Sequence, residues 1–420
     1  MDKTAVELFA GVGGFRVGLN NIKGFDKKTG MAIENGNWRF VWANQWEPST
    51  KSQHAFDCYA LRFGKEDVSN VDIALVDKKT IPAHTLLTGG FPCQDYSVAH
   101  PKNSEQGIEG KKGVLWWQID EILKTKKPPF VLLENVDRLL KAPSSQRGQA
   151  FGIILRCFCD AGYGVQWRVI NAADYGHPQK RRRTFIFAFH KSTKYFSSFG
   201  KIIKKQPPEK TILDSTLFSN GFKCIEKQNT KMIEGNVGAD IYSDLVEVSK
   251  RFEFPFGNAG YCVKNEIYTI DVVAASKEKS KTLGECLDSD NVPEFCYKSN
   301  YEKFKYLKGG KHIIRTAKNG HQYVYAEGPI PFPDYLDQPG RTMLTSEGTV
   351  NRSSHYIQDP KSKKFRILTP IECERLDEFP DDWTETGMPQ KFRYFIAGNA
   401  LVTGLIHTMG EEIEKIIDLE

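Results

Sequence analysis

The first nineteen residues constrain this chain most. Thr4-Ala5-Val6-Glu7-Leu8-Phe9 is β-prone and runs directly into Ala10-Gly11-Val12-Gly13-Gly14-Phe15. Apolar residues continue at Phe15, Val17 and Leu19, which predicts a helix starting near Gly14. Strand, glycine-rich turn and helix together form the entry unit of an open α/β sheet. The glycines let backbone approach a ligand, and the helix N-terminus favours polar or anionic groups. The glycine spacing misses the GxGxxG fingerprint, which argues against a nicotinamide dinucleotide.

Later apolar runs repeat this rhythm. Arg39–Asn44 reads as a second strand ending in Gln45-Trp46-Glu47-Pro48, with Ser49 or Thr50 placed to cap a helix running to about Phe63. An amide or acid beside an aromatic at that exit suits a ribose and base in a doubly wound sheet; a plain cap with a packed Trp is the alternative. Glu66-Asp67-Val68 opens a third short unit. His84–Thr88 reads as a buried strand that stops at Gly89-Gly90-Phe91-Pro92-Cys93-Gln94, placing one thiol on a rigid element within reach of a ligand. A buried structural thiol is the other reading of Cys93. Ser97 to Gly113 is polar and glycine-bearing, with His100, Lys102, Lys111 and Lys112, and is expected to form a mobile cationic flap. Phe130–Leu133 ends in Glu134-Asn135-Val136, so a neighbouring parallel strand would bring Glu134 to the sheet edge that carries Cys93. A carboxyl so placed tends to a raised pKa and serves as an acid, whereas pairing with a lysine is the structural alternative.

A helix over about Gln149–Asp160 and a strand over Val165–Asn171 precede Gln179-Lys180-Arg181-Arg182-Arg183, which feeds the strand-like run Thr184–Phe189. Period-two alternation puts Arg181 and Arg183 on one side, where they suit an anion or a base edge. After Phe189 the composition turns lysine-rich and the rhythm is lost, so residues 191–340 read as a second domain of irregular strands. Thr369-Pro370 through Leu376 reads as a capped helix, and Leu401 to Leu419 as an amphipathic one.

At 420 residues the chain can hold an α/β core and a second domain, and its net charge of +6 permits an anionic partner. The nine cysteines include no CxxC pair, so scattered reduced thiols are expected and no structural metal. No apolar run approaches the roughly 20 residues that span a bilayer. Met1-Asp2-Lys3-Thr4 enters a strand without a leader pattern, and a cytoplasmic location is expected.

Taken in this order, the blocks resemble those of the DNA cytosine-5 methyltransferases of bacterial restriction-modification type. Phe9–Gly14 is similar to the family's S-adenosylmethionine loop, Phe91-Pro92-Cys93-Gln94 to its nucleophile motif and Glu134-Asn135-Val136 to its acidic motif. Gln179-Lys180-Arg181-Arg182-Arg183 fits the QxRxR pattern and Gly398-Asn399-Ala400 the final block. The resemblance covers nearly all of the chain outside residues 191–340. It implies an α/β fold: a Rossmann-like catalytic domain over residues 1–190 and 390–420, and a smaller, irregular, mostly-β target-recognition domain over 191–345. A hinge segment over 346–389 would join the two.

The resemblance also implies the chemistry. Cys93 would add to C6 of a flipped-out cytosine in double-stranded DNA, Glu134 would act at N3, and Arg183, supported by Arg181, would stabilise charge at O2. S-adenosylmethionine would contact Phe9, Gly11, Gly13, Gln45, Trp46, Asp67, Val68, Pro92 and Asn399. DNA would meet Gln94, Ser97 and Arg341. The family usually carries Glu where this chain has Gln45, so the ribose contact falls to Gln45 or Glu47. A monomer is expected, with a cognate restriction endonuclease as a possible functional companion. The rivals are a tRNA cytosine-5 methyltransferase on the same scaffold and a catalytically silent DNA-binding protein.

Overall fold

The computed structural model describes residues 1–48, 50–91, 114–275, 279–297, 300–316 and 320–420. Seven strands carry the α/β part: β1 (Thr4–Leu8), β2 (Arg39–Asn44), β3 (Val68–Ser69), β4 (Leu86–Gly90), β5 (Phe130–Val136), β6 (Tyr163–Asn171) and β7 (Arg182–His190). They lie in the order β3-β2-β1-β4-β5-β7-β6. The first five in that order run parallel. β7 is antiparallel between β5 and β6. The chain leaves β1 toward β2 on one side and resumes at β4 on the other, so the strand order reverses between β1 and β4. A crevice outside the C-terminal strand ends at such a point is where open α/β sheets bind ligands.

Among the described residues, these strands are connected by the helices α1 (Gly14–Leu19), α2 (His54–Phe63), α3 (Val114–Lys126) and α4 (Gln149–Asp160). Alternate strand residues feed two opposite layers. Val6, Leu8, Leu87, Val131 and Leu133 pack with Trp116 and Ile119 of α3 and with Phe151, Ile154 and Phe158 of α4. Ala5, Leu86, Phe130 and Leu132 turn the other way, with Phe15 and Leu19 of α1. Helix α2 starts at His54, later than the expected cap at residues 49–50. The reason is Gln53, whose side chain accepts from the Glu47 N–H at 2.8 Å and donates to the carbonyls of Glu47 and Thr50, folding that stretch into a separate turn.

The composition shift after Phe189 predicts a domain boundary there, but the chain returns to the same sheet. Helices α5 (Lys194–Ile202) and α6 (Pro208–Asp214) and the strands β8 (Cys224–Glu226) and β9 (Ile233–Asn236) lead to α7 (Leu245–Arg251). β10 (Ala259–Val263), β11 (Glu266–Ile270) and β12 (Val272–Ala274) follow. β10 pairs antiparallel with β6, and β11 and β9 add outward, giving a ten-stranded sheet. β6 is thereby paired on both sides over Val165–Arg168, which makes it an interior strand there. The lysines that mark the segment sit largely on surface turns and helices, while β10 is buried throughout.

A core outside the two sheet layers begins at Leu283 and gathers Cys286, Cys296, Phe304, Tyr356, Ile367 and Leu376. Its elements are α8 (Tyr301–Lys308), the hairpin β13 (Lys311–Thr316) with β14 (Gln322–Glu327), the pair β15 (Tyr356–Gln358) with β16 (Phe365–Ile367), and α9 (Pro370–Leu376). Asp334 is the buried anchor there. It meets Lys308 at 2.8 Å and Arg341 at 2.5 Å, and accepts from the Tyr356 N–H. Burial would raise its carboxyl, but His355, Arg341 and Lys308 hold it down at about 2.

Helices α10 (Gln390–Asn399) and α11 (Thr403–Asp418) then return to the sheet. Leu405, Ile406, Met409, Ile413 and Ile417 of α11 join the layer that holds α1. The expected hinge segment is firmly packed. Phe379, Trp383 and Met388 are buried against Val12, Val17 and Ile22, and the Trp383 indole N–H donates to the Val12 carbonyl at 2.8 Å. Residues almost four hundred positions apart thus brace the glycine-rich turn.

Candidate active site

The parallel registers align the strand exits. Leu8 lies beside Asn44 and Gly89, Gly89 beside Leu133, and Gly90 beside Glu134. One step past that line, Phe9, Gln45, Gly90 and Glu134 form a row across the top of the sheet. The row spans the switch point between β1 and β4.

On the β1–β2 side the turn after β1 is built for close approach. Phe9 has φ 54°, Gly11 φ 56° and Gly13 φ 88°. The Gly11 N–H donates to Gln45 Oε1 at 2.7 Å, so this amide oxygen holds the turn. A side chain at Gly11 would meet nothing within 4 Å, whereas one at Gly13 would strike the Phe63 ring. Gly11 therefore faces open space and Gly13 serves packing. Glu7, which the sequence reading passed over, is buried beneath the turn. It accepts from the Phe15 N–H at 3.0 Å and the Tyr59 hydroxyl at 3.3 Å, and burial pushes its carboxyl up to about 8.

Around this turn stand groups with no side-chain hydrogen bond among the described residues: the carboxylates of Glu47 and Asp67 and the amide of Asn399. Burial raises the Glu47 carboxyl, and His54 opposes the shift. Trp46 is 37% exposed at the β2 exit, Val68 is half-buried at the start of β3, and Asn399 ends α10 two residues before Leu401, whose side chain packs on Gly14. Open backbone at Gly11, an exposed indole, and two carboxylates and an amide without side-chain partners among the described residues fit a nucleoside group with a cationic amino-acid tail.

On the β4–β5 side the Glu134 carboxylate meets the Arg183 guanidinium at 2.8 Å, and both are mostly buried. Burial raises the Glu134 carboxyl, against the pull of Arg183 and Arg181. Gly90 makes room for it: a Cβ there would stand 3.3 Å from Glu134 Oε2. Asn135, the residue after this acid, donates from Nδ2 to the Phe91 carbonyl at 2.7 Å. This bond fixes the backbone two residues ahead of Cys93. We expect Asn135→Leu, which removes the donor at similar bulk, to loosen the segment leading into Cys93 and lower the turnover number of the protein's reaction about 10–100-fold in a steady-state assay. Pro92, Cys93, Gln94, Ser97 and the expected flap through Gly113 lie outside the described residues.

Two expected site residues are held by hydrogen bonds to distant segments of the chain. Arg181 precedes β7, so strand alternation does not govern it, and it is fully buried. Its guanidinium donates to the carbonyls of Met343 at 3.2 Å, Gly398 at 3.1 Å and Ala400, and to the Gln179 amide. Glycine at 398 is required here, since a Cβ would come within 2.5 Å of Leu344 backbone. Arg181 thus straps the QxRxR segment to the end of α10. Arg341, expected at DNA, has its guanidinium committed to Asp334 and to the carbonyls of Ser353 and Ser354.

Strand order and crevice together define a Rossmann-like methyltransferase fold. Solved structures agree: the Spodoptera frugiperda DNMT2 crystal structure aligns over 99% of both chains with a TM-score of 0.58 at 12% identity. The S. pombe Dnmt2 methyltransferase aligns over 98% of both with a TM-score of 0.57 at 12% identity. The chain belongs to the family described as C-5 cytosine-specific DNA methylase, which it matches over residues 4–415, and it is a DNA cytosine-5 methyltransferase. It is 49% identical to the type II methyltransferase M.Sau3AI of Staphylococcus aureus over 415 residues, covering 98% of this chain and 95% of that one. It is 33% identical to the type II methyltransferase M.HhaI of Haemophilus parahaemolyticus over 184 residues, covering 44% and 48% of the two chains. Among the described residues no helix is long and apolar enough to cross a membrane.

Proposed function

We propose that the protein methylates C5 of a flipped-out cytosine within a specific duplex sequence, with S-adenosylmethionine as donor and Cys93 as a transient covalent nucleophile. The observation that carries this reading is the Glu134–Arg183 pair at 2.8 Å, placed beside Gly90 three residues before Cys93. Cytosine C5 is a poor nucleophile until something adds at C6. A thiolate suits that role because it attacks an electron-poor ring and later leaves. As the Cys93 sulfur bonds to C6, Glu134 gives a proton to N3, and Arg183 stabilises charge at O2 while bracing the carboxyl. C5 is then nucleophilic and is methylated. Loss of its proton restores the double bond and expels the thiolate.

Phe9, Gly11 and Asn399 would hold the donor's methionine side, Trp46 its adenine and Asp67 the adenine amino group, with Val68 and Pro92 alongside. Glu47 is the better candidate for the ribose hydroxyls, because Gln45 Oε1 is engaged by Gly11. When bound, S-adenosylmethionine supplies an electrophilic methyl group. Gln94 and Ser97 would meet the DNA. Flipping the base costs a few kcal/mol, offset by contacts in the pocket, and phosphate contacts make binding fall steeply with salt.

The functional division would place catalysis on the large sheet and target choice on the segment with its own core, which begins near residue 283, later than composition suggests, and runs on through α9. The relatives named type II methyltransferases support a role in restriction-modification alongside an endonuclease of the same site. The test is transfer of labelled methyl from S-adenosylmethionine to duplex DNA by purified protein. Transfer to tRNA but not to duplex DNA would reject this reading.

A further inference from the structure

The hairpin β13–β14 is a six-pair ribbon, from Lys311 opposite Glu327 to Thr316 opposite Gln322, that pairs with no other strand among the described residues. A lone ribbon is marginally stable in water, so its two faces should differ in what covers them. One face is partly occupied from within, with Ile313 and Tyr323 on it 42% and 44% exposed. The Arg315 guanidinium lies 3.5 Å from the Tyr325 ring centroid, the Tyr325 hydroxyl bonds to Glu327, and Lys311 approaches Glu327 at 3.5 Å. The opposite face presents His312, Ile314 and Thr316 beside Gln322, Val324 and Ala326. All six are exposed, Ile314 at 71% and Val324 at 55%, and no side-chain partner to His312, Thr316 or Gln322 occurs among the described residues.

Charge and shape narrow the partner. Between Glu302 and Glu327 the chain contains no aspartate or glutamate, while Lys303, Lys305 and Arg315 are at the surface. A polyanion fits such a surface. A two-stranded ribbon fits the DNA major groove, about 12 Å wide, where an amide pairs with an adenine edge, a hydroxyl with either base, and aliphatic groups with the thymine methyl. The ribbon's root is also tied to the catalytic side. Arg352 donates to the carbonyls of Leu307 at 2.7 Å and Gly309 at 3.0 Å before β13, and to Gly328 after β14. Arg341 holds the neighbouring Ser353 and Ser354, and Arg181, two residues from Arg183, holds Met343 at the other end of that loop.

We propose that the open face of this hairpin, through His312, Ile314, Thr316, Gln322 and Val324, enters the major groove of the target duplex and reads base edges, and that Arg352 fixes its position relative to the flipped cytosine. This rests on the methyl-transfer reading above. The experiment methylates a randomised duplex library with wild type, Thr316→Ala/Gln322→Ala and Ile314→Ala, then sequences the modified cytosines. Thermal unfolding of each variant checks folding, and Lys303→Gln/Lys305→Gln serves as a phosphate-contact control. The expected result is a fall of about tenfold or more in discrimination at one or two base pairs of the site in the hairpin variants. The lysine control should weaken binding uniformly and flatten its salt dependence. Folded hairpin variants with unchanged site preference overturn the proposal. A wild-type protein that transfers no methyl to any duplex removes the underlying reading, and the hairpin proposal with it.

Discussion

Cys93→Ser is expected to abolish methyl transfer, by more than roughly four orders of magnitude, while duplex binding stays within severalfold of wild type. A serine hydroxyl is far less acidic than a thiol, so the adding anion is essentially absent near neutrality, and an alkoxide would leave the ring poorly. Binding is expected to survive because affinity for duplex DNA comes largely from phosphate contacts that this change does not touch. Single-turnover transfer and a filter-binding titration on the same preparations separate the two quantities. Equal loss of both would point to a structural cysteine, the alternative that the sequence leaves open.

The second large effect belongs to Glu134. Glu134→Gln keeps the shape and one acceptor but cannot give up a proton, and a loss of roughly 10²–10⁴ in kcat is expected. The pH profile makes this specific. Burial raises the Glu134 carboxyl above its ordinary value, so the protonated acid persists to higher pH. Activity that needs this proton is lost as pH rises through the raised value, whereas the need for a Cys93 thiolate makes activity fall on the acid side. The expected profile is a bell whose alkaline limb reports Glu134 and disappears in the Gln variant. Arg183 at 2.8 Å pulls the carboxyl down. Arg183→Gln should therefore move that limb upward in pH while also lowering kcat, through lost support at O2. An unchanged alkaline limb in Glu134→Gln would remove the assigned acid.

The catalytic half was legible because its signals are local. β2 over Arg39–Asn44 and α4 over Gln149–Asp160 fall where apolar pattern and flanking turn residues put them. β4 lies further along than the apolar run suggests, at Leu86–Gly90 rather than His84–Thr88. Its two glycines are poor strand formers in isolation, but pairing with β1 and β5 on both sides overrides that preference. The same effect hid β10 and β11: lysines on surface turns masked two strands that complete the main sheet. Arg181 precedes the strand, so alternation does not place it; its guanidinium partners lie at Met343, Gly398 and Ala400. The Trp383 bond to Val12 and the Arg352 clamp join positions remote in sequence, and no local pattern announces them. Asn135 differs, since it lay inside a motif already quoted. A side-chain amide beside a strand-end acid is a local signal for a bond to neighbouring backbone.

The most direct test of the account is to incubate the enzyme and S-adenosylmethionine with a duplex target carrying 5-fluorocytosine at the modified position. Fluorine at C5 cannot leave as a proton does, so the sulfur–C6 bond should persist. The predicted result is a denaturant-stable protein–DNA adduct that maps to Cys93 by mass spectrometry and is absent in Cys93→Ser. An enzyme that methylates ordinary duplex efficiently yet forms no such adduct, or forms one at another residue, would contradict the central claim.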